Sequence, residues 1–447
     1  MKKAIALLTL ITISAIADKP LMKNFIGING HLHFKPELYG KVCEQVRNYH
    51  NINWDIKNIG DPTTYPMTVN GVNWENDLYK KWKDAGFEVD ICAQFGTFSE
   101  KNEKYKDIWS NKDKEIYDYG YSLAKFFGPS GKGKYCTSIE IGNEPGNDFD
   151  DDLYQKTFIN MAKGIRAGDP KVKIVTCTVH SQESDKYSKN LQETFSSPEI
   201  KKLYDVINIH TYAVKPKNKE YSPWDRSYPE DPTLNYLKVV DEAIAWKNKN
   251  ARDKEVWVTE FGWDSVTPDV MNKRTGWAKK LNWQGVTDLQ QAQYIVRSFF
   301  CFVERDVQKA YIYFYNDKNQ PSVHAASGLT RNFQPKPSYW AVKQLYETLG
   351  NFKLNRIVRK DEDAYIYEFV NPAKSKEVIW VAWSPTGSEK TKEITIPKVN
   401  GRLMKADPMQ TTEDADSNPP VKLTFQKNGS LKLTVTESPI YLHFVKK

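Results

Sequence analysis

Between residues 22 and 346, short apolar runs suited to strands alternate with stretches suited to helices, and this repeat restricts the chain to few architectures. The strand candidates are 24–28, 42–49, 87–93, 137–141, 173–178, 206–210, 255–260 and 310–315. Helical candidates at 74–85, 114–127, 151–167, 234–248 and 289–305 fall between them. Pro337 precedes a last one, 338–349, with Gly350 as its stop. Eight strands with intervening helices predict a (β/α)8 TIM barrel. A doubly wound open sheet is the competing reading. It would place a GxGxxG phosphate loop after the first strand, where Gly27-Ile28-Asn29-Gly30 stands instead. It would also gather its polar residues at one switch point, whereas here they stand at the ends of many strands, as a barrel requires.

The pattern changes after Gly350. Segments 364–370 and 378–383 read as strands, and Asn428-Gly429 is a hairpin turn. On its two sides Val421, Leu423 and Phe425, then Leu431, Leu433 and Val435, alternate with polar residues. A chain of 447 residues exceeds one ordinary core. The expectation is a barrel over 18–349 followed by a small all-β sandwich over 350–447, packed together without a linker. Asn428-Gly429-Ser430 also matches a glycosylation sequon, but the turn explains it without a glycan.

At the N-terminus, Lys2 and Lys3 precede an apolar run that ends in Ala15-Ile16-Ala17. This is the form of a signal peptide over residues 1–17, which would make the protein secreted or periplasmic. The run is short for a membrane span, and no later segment reads as one. The five cysteines lack metal-ligand spacing and are odd in number, so a disulfide framework is not expected. The net charge of +8 is mostly lysine, with no compact basic stripe, which argues against nucleic acid as a partner. Nothing in the sequence implies a cofactor. Asp148, Asp150, Asp151 and Asp152 lack EF-hand spacing and read as a loop entering a helix.

Two glutamates carry the chemistry. Glu144 lies in Ile139-Glu140-Ile141-Gly142-Asn143-Glu144-Pro145-Gly146, and Glu260 in Val256-Trp257-Val258-Thr259-Glu260-Phe261-Gly262-Trp263. They end the fourth and seventh strand candidates, so a barrel could converge them across its top. A lone glutamate in such a place is usually half of an ion pair. Two of them in apolar surroundings suit glycoside hydrolysis, where one carboxylic acid protonates the leaving oxygen and the other attacks the sugar carbon. A separation of about 5 Å implies retention of configuration; a wider gap leaves room for an inverting water.

These motifs resemble glycoside hydrolase clan A, the (β/α)8 retaining β-glycosidases that include families 5 and 39. The resemblance covers residues 22–346. It implies that Glu144, in Asn143-Glu144-Pro145, is the acid/base, and that Glu260 is the nucleophile. It further implies that Asn143 binds the sugar 2-hydroxyl, that Tyr212 of His210-Thr211-Tyr212 hydrogen-bonds the nucleophile, and that Arg47 holds it charged. With Arg47 and Tyr212 beside it, Glu260 should have a low pKa, and Glu144 a raised one. The sequence departs from the clan at strand eight. Tyr313-Phe314-Tyr315 stands where a tryptophan commonly floors the sugar site, and Tyr315 is the candidate there.

Further sugar contacts are expected from His50, Trp54 and Trp263, with His31, His33, Asp55, Trp224, Trp277 and Trp283 also weighed against simple packing. The leading reading is a secreted endo-acting β-glycanase on a polysaccharide, with β-1,3-glucan of the laminarin kind the favoured substrate. Alternatives are a hydrolase of sulfated algal galactan (agarose or carrageenan), suggested by the basic charge, and an exo-β-glycosidase. A catalytically dead carbohydrate-binding protein, or a carbohydrate-binding role for the β module, are the readings from another class.

Overall fold

The structure, a computed structural model, describes residues 19–96, 105–145, 151–179, 193–215, 225–280, 282–396 and 401–446. Eight parallel strands close into a barrel in chain order. They are β1 (Ile26–Gly30), β2 (Gln45–Asn51), β3 (Glu88–Gln94), β4 (Cys136–Ile141), β5 (Lys173–Thr178), β6 (Val206–His210), β7 (Glu255–Phe261) and β8 (Lys309–Ile312). β1 pairs with β8 to complete the circle, Ile26 opposite Ala310. The open-sheet alternative is thereby set aside.

Helices Asp113–Phe127, Asp151–Gly168, Lys238–Asn250, Asp288–Glu304 and Pro337–Leu349 lie where the sequence predicts them, within a few residues. Three strands differ from the expectation by more than one residue, β2 running from 45 to 51 instead of 42 to 49. Residues Met22–Phe25 form one helical turn that buries Met22 and Phe25, so β1 starts late. β8 stops at Ile312, short of the expected 315.

The lower barrel is filled by Val175, Val206, Trp257 and Tyr311. Gly27 makes room for that layer, because a Cβ there would come within 2.5 Å of the Tyr311 ring. Above it the inward positions turn polar: Asn29, Arg47, Cys92, Glu140, Asn208, His210 and Thr259 are all buried. All five cysteines are buried free thiols.

Residues after Gly350 form a five-stranded antiparallel sheet, in spatial order Lys353–Lys360, Tyr365–Val370, Glu377–Trp383, Ile440–Val445, Arg402–Pro408. A three-stranded sheet of Lys392–Ile396, Leu431–Val435 and Leu423–Phe425 faces it. Val378, Trp380 and Ala382 join the core between the two sheets. The intervening Ile379, Val381 and Trp383 pack instead into the core of the barrel. Both faces of this strand are covered, which is why it reads as an unbroken apolar run. Helix Asp288–Glu304 is the layer between, with Phe300 stacked on Trp383 at 5.3 Å between ring centroids. Arg297 of that helix is buried against Glu230 and donates to the Thr386 carbonyl at 2.9 Å, and Trp383 Nε1 donates to Glu230 at 2.7 Å. No helix among the described residues is long and apolar enough to cross a membrane. The expected signal peptide lies outside the described residues.

Candidate active site

The carboxyl ends of the strands carry a cavity of about 360 Å³ lined by His31, Tyr49, Gln94, Asn143, Glu144, Tyr212, Glu260, Tyr313 and His324. β4 and β7 bring Glu144 and Glu260 together, with one carboxylate oxygen of each within 4.8 Å of the other. Their surroundings differ sharply.

Glu260 is buried and accepts three hydrogen bonds: Arg47 Nη1 at 3.0 Å, the Tyr49 hydroxyl at 2.6 Å and the Tyr212 hydroxyl at 2.9 Å. Burial works to raise its pKa. The charges of His210 and Arg47 and the two phenols outweigh it and hold the carboxyl at about 2. Arg47 is in turn fixed from below. Its Nε and Nη2 each meet one Glu140 oxygen at 2.7 Å, Nη1 also reaches Asn29, and Nη2 reaches Asn143 at 2.8 Å. Every N–H of the guanidinium is engaged, so it acts as a placed charge.

Glu144 is about a third exposed, its side chain at 34%, and one oxygen lies 2.7 Å from His210 Nδ1. The network around His210 assigns its protons. Asn208 uses its Nδ2 on the Thr176 carbonyl, so its Oδ1 accepts the Thr259 hydroxyl proton. Thr259 therefore accepts from His210 Nε2 at 3.0 Å. With Nε2 protonated, a proton between Nδ1 and Glu144 makes the 2.7 Å contact, and on the imidazole it gives the cation whose charge acts on Glu260. Burial would lower the pKa of His210, but Glu260 and Glu144 raise it above the ordinary value. The Glu144–His210 pair is thus built to hold one dissociable proton beside a fixed carboxylate.

Glu144, His210 and Glu260 also have the make-up of a metal-binding set, the only such group among the described residues. Arg47 placed 3.0 Å from Glu260 sets a positive charge against any cation there.

The structure thus brings together Arg47, Asn143, Glu144, His210, Tyr212 and Glu260. It corrects four other expectations. His50 faces out of the barrel, fully buried between Tyr79 and Asp55 and stacked on Trp74 at 4.2 Å. Asp55 is the hub of that cluster, accepting from His50, Tyr65, Trp74 and Tyr119. Trp54 packs on Trp74 and meets His31 edge-on, one layer behind the cavity. Trp263 is fully buried with its Nε1 on the Ser227 carbonyl. Tyr315 packs against Phe34 and Tyr39, and Tyr313 lines the cavity in its place. Trp283 is likewise buried, while His33 is exposed. Trp224 and the Trp277 side chain lie outside the described residues, as do Asp148 and Asp150. Asp151 and Asp152 form the first turn of helix Asp151–Gly168.

Sequence reasoning passed over Tyr49, Gln94, Glu140, Thr259, Tyr313 and His324. For Tyr49 a signal existed, since in a strand it shares a face with Arg47 two residues earlier. His324 had none. Its loop is folded around Asp264, which accepts from the backbone of His324 and Ala326, from Ser327 and Trp283, and pairs with Arg226.

A (β/α)8 barrel with two carboxylates at its mouth and a β-sandwich behind it is the class that fold and site define. No family model and no curated protein matches the chain by sequence. Solved structures match it in shape. A family 39 glycoside hydrolase from the gut symbiont Bacteroides cellulosilyticus WH2 superposes with a TM-score of 0.68 at 16% identity, over 94% of this chain and 80% of that one. A glucosidase from Croceicoccus marinus gives 0.63 at 10% identity, over 96% and 97%. A family 30 endoxylanase from Clostridium papyrosolvens C71 gives 0.53 at 14% identity, over 96% and 97%. These likenesses show the fold, barrel and sandwich together.

Proposed function

We propose that this protein is a retaining β-glycoside hydrolase, with Glu260 as nucleophile and Glu144 as acid/base. The observation that carries the reading is the contrast between two neighbouring carboxylates. One is buried and held ionised by Arg47, Tyr49 and Tyr212, and the other is a third exposed, with one oxygen 2.7 Å from His210 Nδ1. A distance within 4.8 Å suits direct attack on the anomeric carbon and leaves little room for an intervening water. Glu260 attacks the sugar as Glu144 gives its proton to the departing oxygen. Glu144 then takes a proton from water, which displaces Glu260 with a second inversion. Following the anomer first released by NMR tests the mechanism; an inverted product sinks it.

The substrate we propose is a β-linked polysaccharide cut internally, with laminarin-type β-1,3-glucan first in line. The solved structures of like fold are variously described as glucosidase and endoxylanase, so the fold favours no one sugar. Incubation with laminarin, mixed-linkage glucan, cellulose, mannan, agarose and carrageenan, with products sized over time, decides it. Early mixed oligomers from laminarin support the reading, and activity confined to a sulfated galactan replaces it. Export is part of the same proposal: mature protein from a culture should begin at Asp18.

A further inference from the structure

We infer that the sugar unit held at the two glutamates is a neutral one, and that Gln94 and His324 read its hydroxyls from opposite walls. This rests on the reading of the cavity as a sugar site. Apart from Glu144 and Glu260, the described wall consists of His31, Tyr49, Gln94, Asn143, Tyr212, Tyr313 and His324, none of them a fixed cation. Two arginines stand behind this wall, neither of them lining it. Arg47 is fully buried and spends its N–H groups on Glu140, Asn29, Asn143, Cys92 and Glu260. Arg226 lies behind the wall over the Tyr212 ring, its side chain 1% exposed; Nη2 pairs with Asp264, while Nε and Nη1 are buried without a hydrogen-bond partner among the described residues.

The imidazoles do not supply the missing charge. Burial lowers the pKa of His324, and Arg226 beside it lowers it further, while Asp264, Glu260 and Glu144 act in the opposite sense. His31 is lowered by burial and by His33. Neutral histidine and glutamine side chains can each donate and accept, which suits hydroxyl groups. A carboxylate or sulfate on the same sugar would be brought close to ionised Glu260 with no cation on the described wall to pair with, and burying an unpaired charge is costly. Among the described residues, the positive charge of the chain therefore stands off this wall.

Calorimetric titration of the full chain with paired iminosugars tests this. Each pair shares one ring configuration (glucose, galactose or mannose), with a hydroxymethyl group on one member and a carboxylate on the other. At least one neutral member should bind, and its carboxylate partner should bind at least about 100-fold more weakly. A carboxylate that binds as tightly as its neutral partner overturns the inference, and so does failure of every neutral member to bind. Gln94→Ala and His324→Ala should each weaken the neutral ligand by about tenfold; no loss in either removes those side chains from the reading. A protein that binds the neutral ligand yet cleaves no glycoside would sink the proposed hydrolysis and leave this inference standing.

Discussion

Arg47 lies edge to edge with Glu140, two hydrogen bonds of 2.7 Å joining side chains that never reach solvent. That pairing aims Nη1 at Glu260, so a residue that does not line the cavity bears on the charge at its mouth. Glu140→Gln keeps the shape and removes one charge. Leaving the buried guanidinium short of a partner should cost about 3 kcal/mol in denaturant unfolding. Turnover should fall at least about tenfold with KM nearly unchanged, because Glu140 does not line the cavity. Wild-type turnover in a folded variant would mean that Asn29 and Asn143 suffice to place Arg47.

Glu144→Ala should separate substrates by leaving group. Polysaccharide turnover should drop by about 10³-fold, while an activated aryl glycoside, which needs no proton, should lose far less. Azide should restore part of the activity with a product of retained configuration. For Glu260→Ala the azide product should be inverted. Finding the two outcomes exchanged would reverse the roles.

The pH profile follows from the signs of two shifts. The pKa of Glu260 is depressed to about 2, so its ionised form is complete across the acid range and adds no limb above that value. The pKa of His210 is raised above 6.5, so the proton shared with Glu144 is kept to higher pH than a free imidazole would keep it. kcat/KM should therefore fall only on the alkaline side, with an apparent pKa above 6.5 set by His210. A fall centred below that value would contradict the assignment.

Thr259→Val tests the proton arrangement at His210. It removes the acceptor of the Nε2 proton while nearly conserving volume. The imidazole can then adopt the other tautomer and donate from Nδ1 to Glu144. Turnover of poor leaving groups should drop about tenfold more than that of activated ones, with Tm recorded to exclude unfolding. Equal losses on both substrate types would place Thr259 outside proton delivery.

Truncation after Gly350 should yield an insoluble barrel. It strips Trp383 from Phe300 and the Thr386 carbonyl from Arg297, exposing the apolar face of helix Asp288–Glu304. Soluble, active protein with weakened polysaccharide binding would instead make the sandwich a recognition domain. In the full chain, Arg297→Ala leaves Glu230 buried and unpaired and should cost about 3–5 kcal/mol.

What was readable in advance was read from local signals. Strand and helix periodicity gave the barrel, and Asn428-Gly429 gave the hairpin of the sandwich, because side-chain alternation and turn chemistry act over a few residues. Asn143-Glu144-Pro145 and Thr259-Glu260-Phe261-Gly262 stood out because polar residues at strand ends are locally conspicuous. Errors began where facing mattered. The expectation names His50 as a sugar contact, but the alternation that points Arg47 into the barrel points Tyr49 inward and sends His50 to Tyr79.

The sequence by itself determined the order of elements, the strand ends that carry the two glutamates, and the apolar runs that become cores. Only the tertiary structure decided which neighbours those glutamates meet. Alternation treats Tyr313 and Tyr315 as equivalent, but β8 ends at Ile312, and beyond it the path is set by packing on Phe34 and Tyr39. His324 reaches the cavity because Asp264 gathers a loop from 60 positions away. Such contacts depend on barrel closure and on which buried polar groups find partners, and these are properties of the assembled chain that no window of sequence contains.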